Sequence, residues 1–119
     1  SEGWGLGISE AMAAGNYSIA TNYAGNKEYM NSKTSHLISY QLTPVYGMSF
    51  NPGWREIYKG DQNWADPNIV DTQAAMQWTF RNQEEAKERA VIAQKYLSEN
   101  FSVKNIAERI KYLLDTTKE

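Results

Sequence analysis

The chain contains no cysteine and a single histidine, His36, among its 119 residues. Disulfide bonds and thiolate chemistry are therefore excluded, and so is a metal site built from several histidines. The net charge is −2 with acidic and basic residues interleaved, which argues against a nucleic-acid partner held through its phosphates. No apolar run reaches the roughly 18–20 residues that span a bilayer. The absence of cysteine fits a reducing compartment.

The composition is that of one small folded domain rather than a disordered segment. Hydrophobic residues make up 41% of the chain and charged residues 22%. A short helix is predicted from Gly7 to Ala14, because Gly15 suits the position after a helix end. Short β-prone runs bounded by turn formers predict strands over 17–20 and 36–41. Helix and strand in this succession favour an α/β fold.

The C-terminal part of the chain is predicted to be helical. Asp66 and Pro67 are typical of a helix start, with Asp66 as the cap, and Asn82 ends this first helix. A second helix is predicted over 84–100, and a third follows the capping residue Ser102. The apolar residues at helical spacing are Ala86, Ala90, Ala93 and Leu97 in the second helix and Ile106, Ile110, Leu113 and Leu114 in the third. Two strands cannot form a balanced doubly wound sheet. Either further strands exist in the chain, or the chain is part of a larger domain.

The segment from Thr43 to Trp64 is rich in aromatic residues and shows no helical or strand periodicity. We interpret it as a loop of about 20 residues, which is unusually long for a compact domain. Either its aromatic side chains anchor it on the surface, or the loop is functional. The single partial domain is thus divided into an α/β segment over 1–42, an aromatic loop over 43–64 and helices over 65–119.

The chain opens on SEGWGLGISEAMAAGN, in which glycines alternate with bulky residues before the first helix. Glycine lets a backbone approach a ligand closely and adopt a positive φ. A loop of this kind places unpaired N–H groups and the positive end of a helix dipole near Leu6, Gly7 and Ile8, which makes an anion site. The spacing matches neither the P-loop nor the dinucleotide fingerprint.

Two glutamates bracket this loop, Glu2 before it and Glu10 in the expected first turn of the helix. Carboxylates accept hydrogen bonds from vicinal hydroxyls, so the pair predicts hydroxyl-bearing groups on either side of a bound diphosphate, as in a sugar nucleotide. The alternative is that Glu10 only complements the helix dipole and Glu2 is a solvated residue. Paired carboxylates are also typical of glycoside hydrolases, but a diphosphate seat between them fits a transferase better.

The stretch EGWGLGISEAMAAG strongly resembles the E-x7-E signature in the C-terminal domain of retaining GT-B glycosyltransferases of the GT4 family. Trp4 stands where that family usually has Phe, Gly7 where it has Pro and Ala14 where it has Cys. The resemblance continues in SIATNYAGNKEYM, NWADPNIVDTQAAMQWTFRNQEEAKERA and NFSVKNIAERI. It implies a nucleotide-sugar-binding domain with a partial Rossmann-like α/β fold, a short parallel sheet and a helical C-terminal region.

The resemblance implies a role for each residue of the motif. Glu2 would be the catalytic residue that binds hydroxyls of the donor sugar, and Glu10 would bind the ribose of the nucleotide. The residues lining the donor sugar and diphosphate would be Gly3, Trp4, Gly5, Leu6 and Gly7. For Trp4, packing behind the loop is an equal alternative. Asn26 and Glu28 would orient the loops of the site.

The implied activity is transfer of a sugar from a nucleotide-diphosphate sugar, with retention at the anomeric carbon and without a metal or resident cofactor. In the resembled family, an Arg and a Lys that grip the diphosphate and an acceptor-binding N-terminal domain lie upstream of the motif. We therefore expect this chain to be an inactive fragment that needs that domain as its partner. The parent protein is expected in the cytoplasm, with peripheral association at the inner face of the membrane allowed.

A second hypothesis from a different class is a non-catalytic α/β module. Such a module would bury its open sheet edge by self-association into a homo-oligomer. Binding of UDP, GDP or ADP sugars distinguishes the two hypotheses. The sequence leaves the nucleotide base, the sugar and the acceptor open.

Overall fold

The computed structural model describes residues 3–46 and 58–117. The helices are α1 (Leu6–Ala13), α2 (Ile69–Arg81), α3 (Gln83–Asn100) and α4 (Val103–Thr116). The strands are β1 (Ile19–Thr21), β2 (His36–Ile38), β3 (Tyr40–Tyr46) and β4 (Lys59–Pro67), and a 3₁₀ turn occupies Ala24–Glu28. The chain is a mixed α/β structure, as predicted at that level of detail.

A two-stranded parallel sheet forms between β1 and β2, with Ile19 paired to His36 and Thr21 to Ile38. The predicted strand over 36–41 is interrupted at Ser39. The backbone N–H of Ser39 donates to a carboxylate oxygen of Asp71 on α2 at 3.3 Å, and its hydroxyl donates to the same oxygen. This contact diverts the chain, so β2 ends before Ser39 and β3 starts after it.

The hydrophobic core lies where α1 and the two residues after the 3₁₀ turn pack against α3. Its buried members are Met12, Tyr29, Met30, Ala93 and Leu97. The predicted helical face of α3 is confirmed, because alanines at helical spacing along it are buried. Their small side chains let α1 approach closely, and the Gln94 amide donates to the Ala13 carbonyl at 2.8 Å across this contact.

The start predicted for α2 was two residues too early. Asn68 is the cap, and its side-chain oxygen accepts hydrogen bonds from the backbone N–H groups of Val70 at 2.9 Å and Asp71 at 3.1 Å. Asp66 and Pro67 instead belong to β4, where Pro67 pairs with Tyr40. Proline is tolerated at the end of an edge strand, because its missing N–H is not needed there.

The prediction of an aromatic loop over 43–64 was wrong for residues 43–46 and 59–64, which belong to strands. β3 and β4 form an antiparallel pair in which Thr43 faces Trp64, with an irregularity between Pro44 and Tyr46. The sequence of β4, KGDQNWADP, has little β-propensity and no alternation of apolar and polar residues. Most of its side chains are exposed. The pairing is made by backbone groups, so side-chain periodicity could not reveal it. Residues 47–57 lie outside the described residues.

Helix α4 begins as predicted, with the Ser102 hydroxyl accepting a hydrogen bond from the Asn105 N–H at 3.3 Å. Its predicted apolar residues, however, are not buried. Ile110, Leu113 and Leu114 are each more than half exposed, and no residue of this helix is buried. Among the described residues, no helix combines the length and apolar character needed to cross a membrane.

Candidate functional site

The glycine-rich opening forms a turn over residues 3–6, called the glycine turn below, which ends on Leu6, the first residue of α1. Gly5 caps the helix with φ 83° and ψ 57°, and its carbonyl accepts hydrogen bonds from the N–H groups of Ile8 at 3.0 Å and Ser9 at 3.1 Å. Within the described residues, the N–H groups of Leu6 and Gly7 have no partner. The exposed amino end of α1 therefore offers two backbone donors and the positive end of its dipole.

Replacing Gly5 by alanine is expected to lower the free energy of unfolding by about 1–2 kcal/mol, the cost of a left-handed conformation for a residue with a Cβ. The new Cβ would also lie 2.9 Å from the Tyr29 hydroxyl. Gly7→Ala is the matched control, because a Cβ there meets no atom within 4 Å. Alanine in that helical position should stabilise the chain by up to about 1 kcal/mol. Equal urea midpoints for the two variants would contradict the prediction.

Trp4 packs its ring behind the glycine turn. The ring centroid lies 4.8 Å from that of Tyr29 and 5.0 Å from that of Phe101. The indole N–H donates to the Ser9 hydroxyl at 3.1 Å, and that hydroxyl donates to the Leu6 carbonyl at 3.0 Å. Trp4 therefore packs behind the loop, which is one of its two alternatives. Its side chain also borders both cavities described below.

Two buried residues, Tyr29 and Asn26, hold the segment that follows β1 in place. Tyr29, only 1% exposed, places its hydroxyl 2.9 Å from the carbonyl oxygens of both Trp4 and Gly5. Asn26 is also buried, and its amide donates to the Thr21 carbonyl at 2.9 Å. Asn26 thus joins the 3₁₀ turn to the end of β1.

A cleft of about 1060 Å³ lies between α1, α3 and α4. Its polar lining includes Glu10, Glu28, Lys95 and Arg109, and Trp4, Leu6 and Phe101 contribute apolar surface. Glu10 is the fifth residue of α1, so the expectation that it lies in the first helical turn was wrong. Because dipole effects fade within the first turn, complementing the dipole does not account for Glu10. Its carboxylate is exposed in the cleft, with no partner among the residues described.

A second cavity of about 540 Å³ lies beside the carboxyl end of β1. The glycine turn, the loop after β1 and strand β4 all contribute to its wall, notably through Trp4, Gly5, Thr21, Tyr23, Asn63 and Trp64. Each described side chain in this wall is uncharged. Ligands of open α/β sheets bind outside the carboxyl ends of the strands, which is where this cavity lies.

The structure therefore brings most of the predicted site residues together. Gly3, Trp4, Gly5 and Leu6 form the glycine turn, and Gly7 follows as the second residue of α1. Glu10 and Glu28 share the charged cleft, and Asn26 lines the uncharged cavity. Glu2 lies outside the described residues. Sequence reasoning missed Asn63 and Trp64, for which the aromatic content of the middle third was the available signal. It also missed Lys95 and Arg109, for which the sequence carries no distinctive signal.

A separate cluster of polar and aromatic side chains lies at the amino ends of β1 and β2. The Tyr17 hydroxyl is 2.8 Å from Nδ1 of His36, and the His36 ring packs edge-on against Trp78 at 4.9 Å. The Arg89 guanidinium lies over Trp78 and pairs with Glu85 at 2.5 Å. Burial, and secondarily the charge of Arg89, lowers the pKa of His36. Burial likewise raises the pKa of Tyr17.

The free energy of unfolding should decrease as the pH falls below about 6.5, the ordinary pKa of histidine. The unfolded chain then takes up a proton on His36 before the folded chain does, because folding lowers the pKa of this group. The decrease ends once the pH has passed the pKa of the folded state. His36→Gln should flatten this part of the curve in urea titrations between pH 7.5 and 5.5. If His36→Gln showed the same pH dependence of the free energy of unfolding as the unaltered chain, groups other than His36 would cause the decrease.

No three histidine, aspartate or glutamate side chains are grouped so as to hold a metal ion within 3–46 and 58–117. No protein-family model, curated protein or solved structure matches the chain. The proposed function therefore rests on the glycine turn and on the residues that line the two cavities beside it.

Proposed function

We propose that this chain binds a nucleotide-diphosphate sugar as the donor-binding part of a retaining GT-B glycosyltransferase with a partial Rossmann-like fold. The observation that carries the proposal is the position of the glycine turn between two different cavities. Both border Trp4; the charged cleft also borders Leu6, and the uncharged cavity also borders Gly5. A ligand with an anionic centre and two hydroxyl-bearing ends matches this arrangement.

The diphosphate would bind at the amino end of α1. The free N–H groups of Leu6 and Gly7 are the donors that a phosphate oxygen accepts from at a helix start. Lys95 and Arg109 line the adjoining cleft and could offset part of the negative charge. Since the N–H groups are held rigidly by the Gly5 cap, they need no rearrangement when charge develops on the leaving diphosphate.

The ribose would lie in the charged cleft, where the exposed Glu10 carboxylate can accept hydrogen bonds from both of its vicinal hydroxyls. The transferred sugar would then extend to the opposite side of the turn, toward the uncharged cavity. Glu2 precedes this turn in the sequence, and its proposed role toward the sugar hydroxyls rests on the resemblance.

Calorimetric titration of the chain with UDP-, GDP- and ADP-sugars tests the proposal directly. We expect one nucleotide series to bind with a dissociation constant below about 1 mM, which corresponds to about −4 kcal/mol. Competition by inorganic diphosphate would support an anion seat at α1. Failure of every series to bind at millimolar concentration would overturn the proposal.

A non-catalytic module that self-associates remains the second candidate, and the exposed apolar side of α4 favours it. Ile106, Ile110, Leu113 and Leu114 form an apolar stripe on α4, and none of the four is buried. Sedimentation equilibrium distinguishes this candidate. A stable dimer that binds none of the nucleotide sugars, and that Leu113→Glu dissociates, would favour the module over the donor-binding domain.

A further inference from the structure

The antiparallel pair of β3 and β4 brings a tryptophan to the wall of the uncharged cavity. Trp64 pairs with Thr43 in the antiparallel register, and it lines the uncharged cavity together with the glycine turn. Its side chain is 47% exposed and belongs to no buried cluster. Within the described residues, Trp64 makes no ring contact with another aromatic side chain. A large ring half open to a cavity is available to contact a ligand.

The other side chains around the cavity define what kind of ligand fits. Tyr23 presents a second aromatic side chain, positioned by its ring contact with Tyr40 at 5.1 Å. Asn63 supplies an exposed amide that has no partner in the described part of the chain. Aromatic rings with a few neutral polar groups, and no charge, suit an uncharged ring that carries hydroxyl groups. They do not suit a phosphate.

We propose that Trp64 forms the wall against which the sugar ring of the donor packs, and so determines which sugar the site accepts. This inference rests on the proposed function, since it assigns one end of the proposed donor. A nucleobase is also an uncharged ring, but it is attached to the ribose, which Glu10 binds in the charged cleft. The sugar is at the other end of the diphosphate and is the group that can reach Trp64.

The test compares two ligands that differ only in the sugar. For the nucleotide series that binds, the affinities of the nucleoside diphosphate and of its sugar derivative are measured with the whole chain. Trp64→Ala should weaken binding of the sugar derivative by roughly tenfold and leave the nucleoside diphosphate unchanged. Trp64→Phe should recover most of the loss. Tyr46→Ala is the matched control, because Tyr46 is a 74% exposed aromatic residue of the same hairpin that does not line the cavity.

A measurement on the unaltered chain keeps the inference testable if Trp64→Ala does not fold. The indole N–H signal that disappears from the NMR spectrum of Trp64→Phe identifies Trp64, and it should shift with the sugar nucleotide but not with the nucleoside diphosphate. Equal effects on both ligands, or no effect on either, would overturn the assignment of Trp64 while leaving the proposed function intact. If the unaltered chain bound neither ligand, the proposed function would fail, and the assignment with it.

Discussion

Gly25→Ala is expected to destabilise the chain by about 3 kcal/mol, near the upper end of the usual cost of overpacking. A Cβ at Gly25 would lie 1.8 Å from the carbonyl oxygen of Gly3 and 2.9 Å from the Cα of Trp4. These are backbone atoms, which cannot rotate away as a flexible side chain can. The two loops that build the site would have to separate, so the thermal midpoint should fall by roughly 10 °C.

Gly3→Ala is the control for this substitution. Gly3 lies on the other side of the same contact, but a Cβ built on it meets nothing within 4 Å. Its thermal midpoint should therefore stay close to that of the unaltered chain. If Gly25→Ala and Gly3→Ala had the same thermal midpoint, the close approach of the two loops would be refuted. If the proposed donor site is correct, Gly25→Ala should also weaken nucleotide-sugar binding, because both cavities share the wall that these loops form.

Glu10→Ala is expected to weaken binding of the nucleotide by about 10- to 100-fold. Hydrogen bonds to a charged group contribute about 1.5–3 kcal/mol, and the carboxylate would accept them from the ribose hydroxyls. The stability of the fold should change little, because the side chain is exposed and has no partner among the described residues. Calorimetry measures the affinity, and a thermal melt of the same sample reports on the fold.

A second ligand and a second variant show whether Glu10 acts through the ribose hydroxyls. A 2′,3′-dideoxy nucleotide lacks the hydroxyls that Glu10 would bind, so its affinity should not respond to Glu10→Ala. Glu84→Ala removes another exposed carboxylate, on α3, whose only described ion pair is with Lys87, and should leave binding unchanged. A loss that is equal for ribose and dideoxyribose ligands would show that Glu10 acts on the charge of the cleft instead of on the ribose.

Local chemistry in the sequence was enough to predict most of the helical part. The end of α2 at Asn82, the alanine face of α3 and the Ser102 cap of α4 all depend on residues within a few positions of one another. The start of α2 was missed because Asp66 and Asn68 are both good caps. Which one is used depends on whether β4 continues to Pro67, and that depends on a partner strand about 25 residues earlier in the chain.

The sequence by itself determined the glycine turn, the helix that follows it and the order of the main helices, because glycine conformation, capping and helical spacing are local properties. Only the tertiary structure decided that β3 and β4 pair, that Trp64 borders Gly5 and that Glu10 faces a cleft shared with α3 and α4. These contacts join residues far apart in the chain. They arise from backbone hydrogen bonds between strands and from packing between elements that are distant in the sequence, and local sequence patterns do not specify which elements meet.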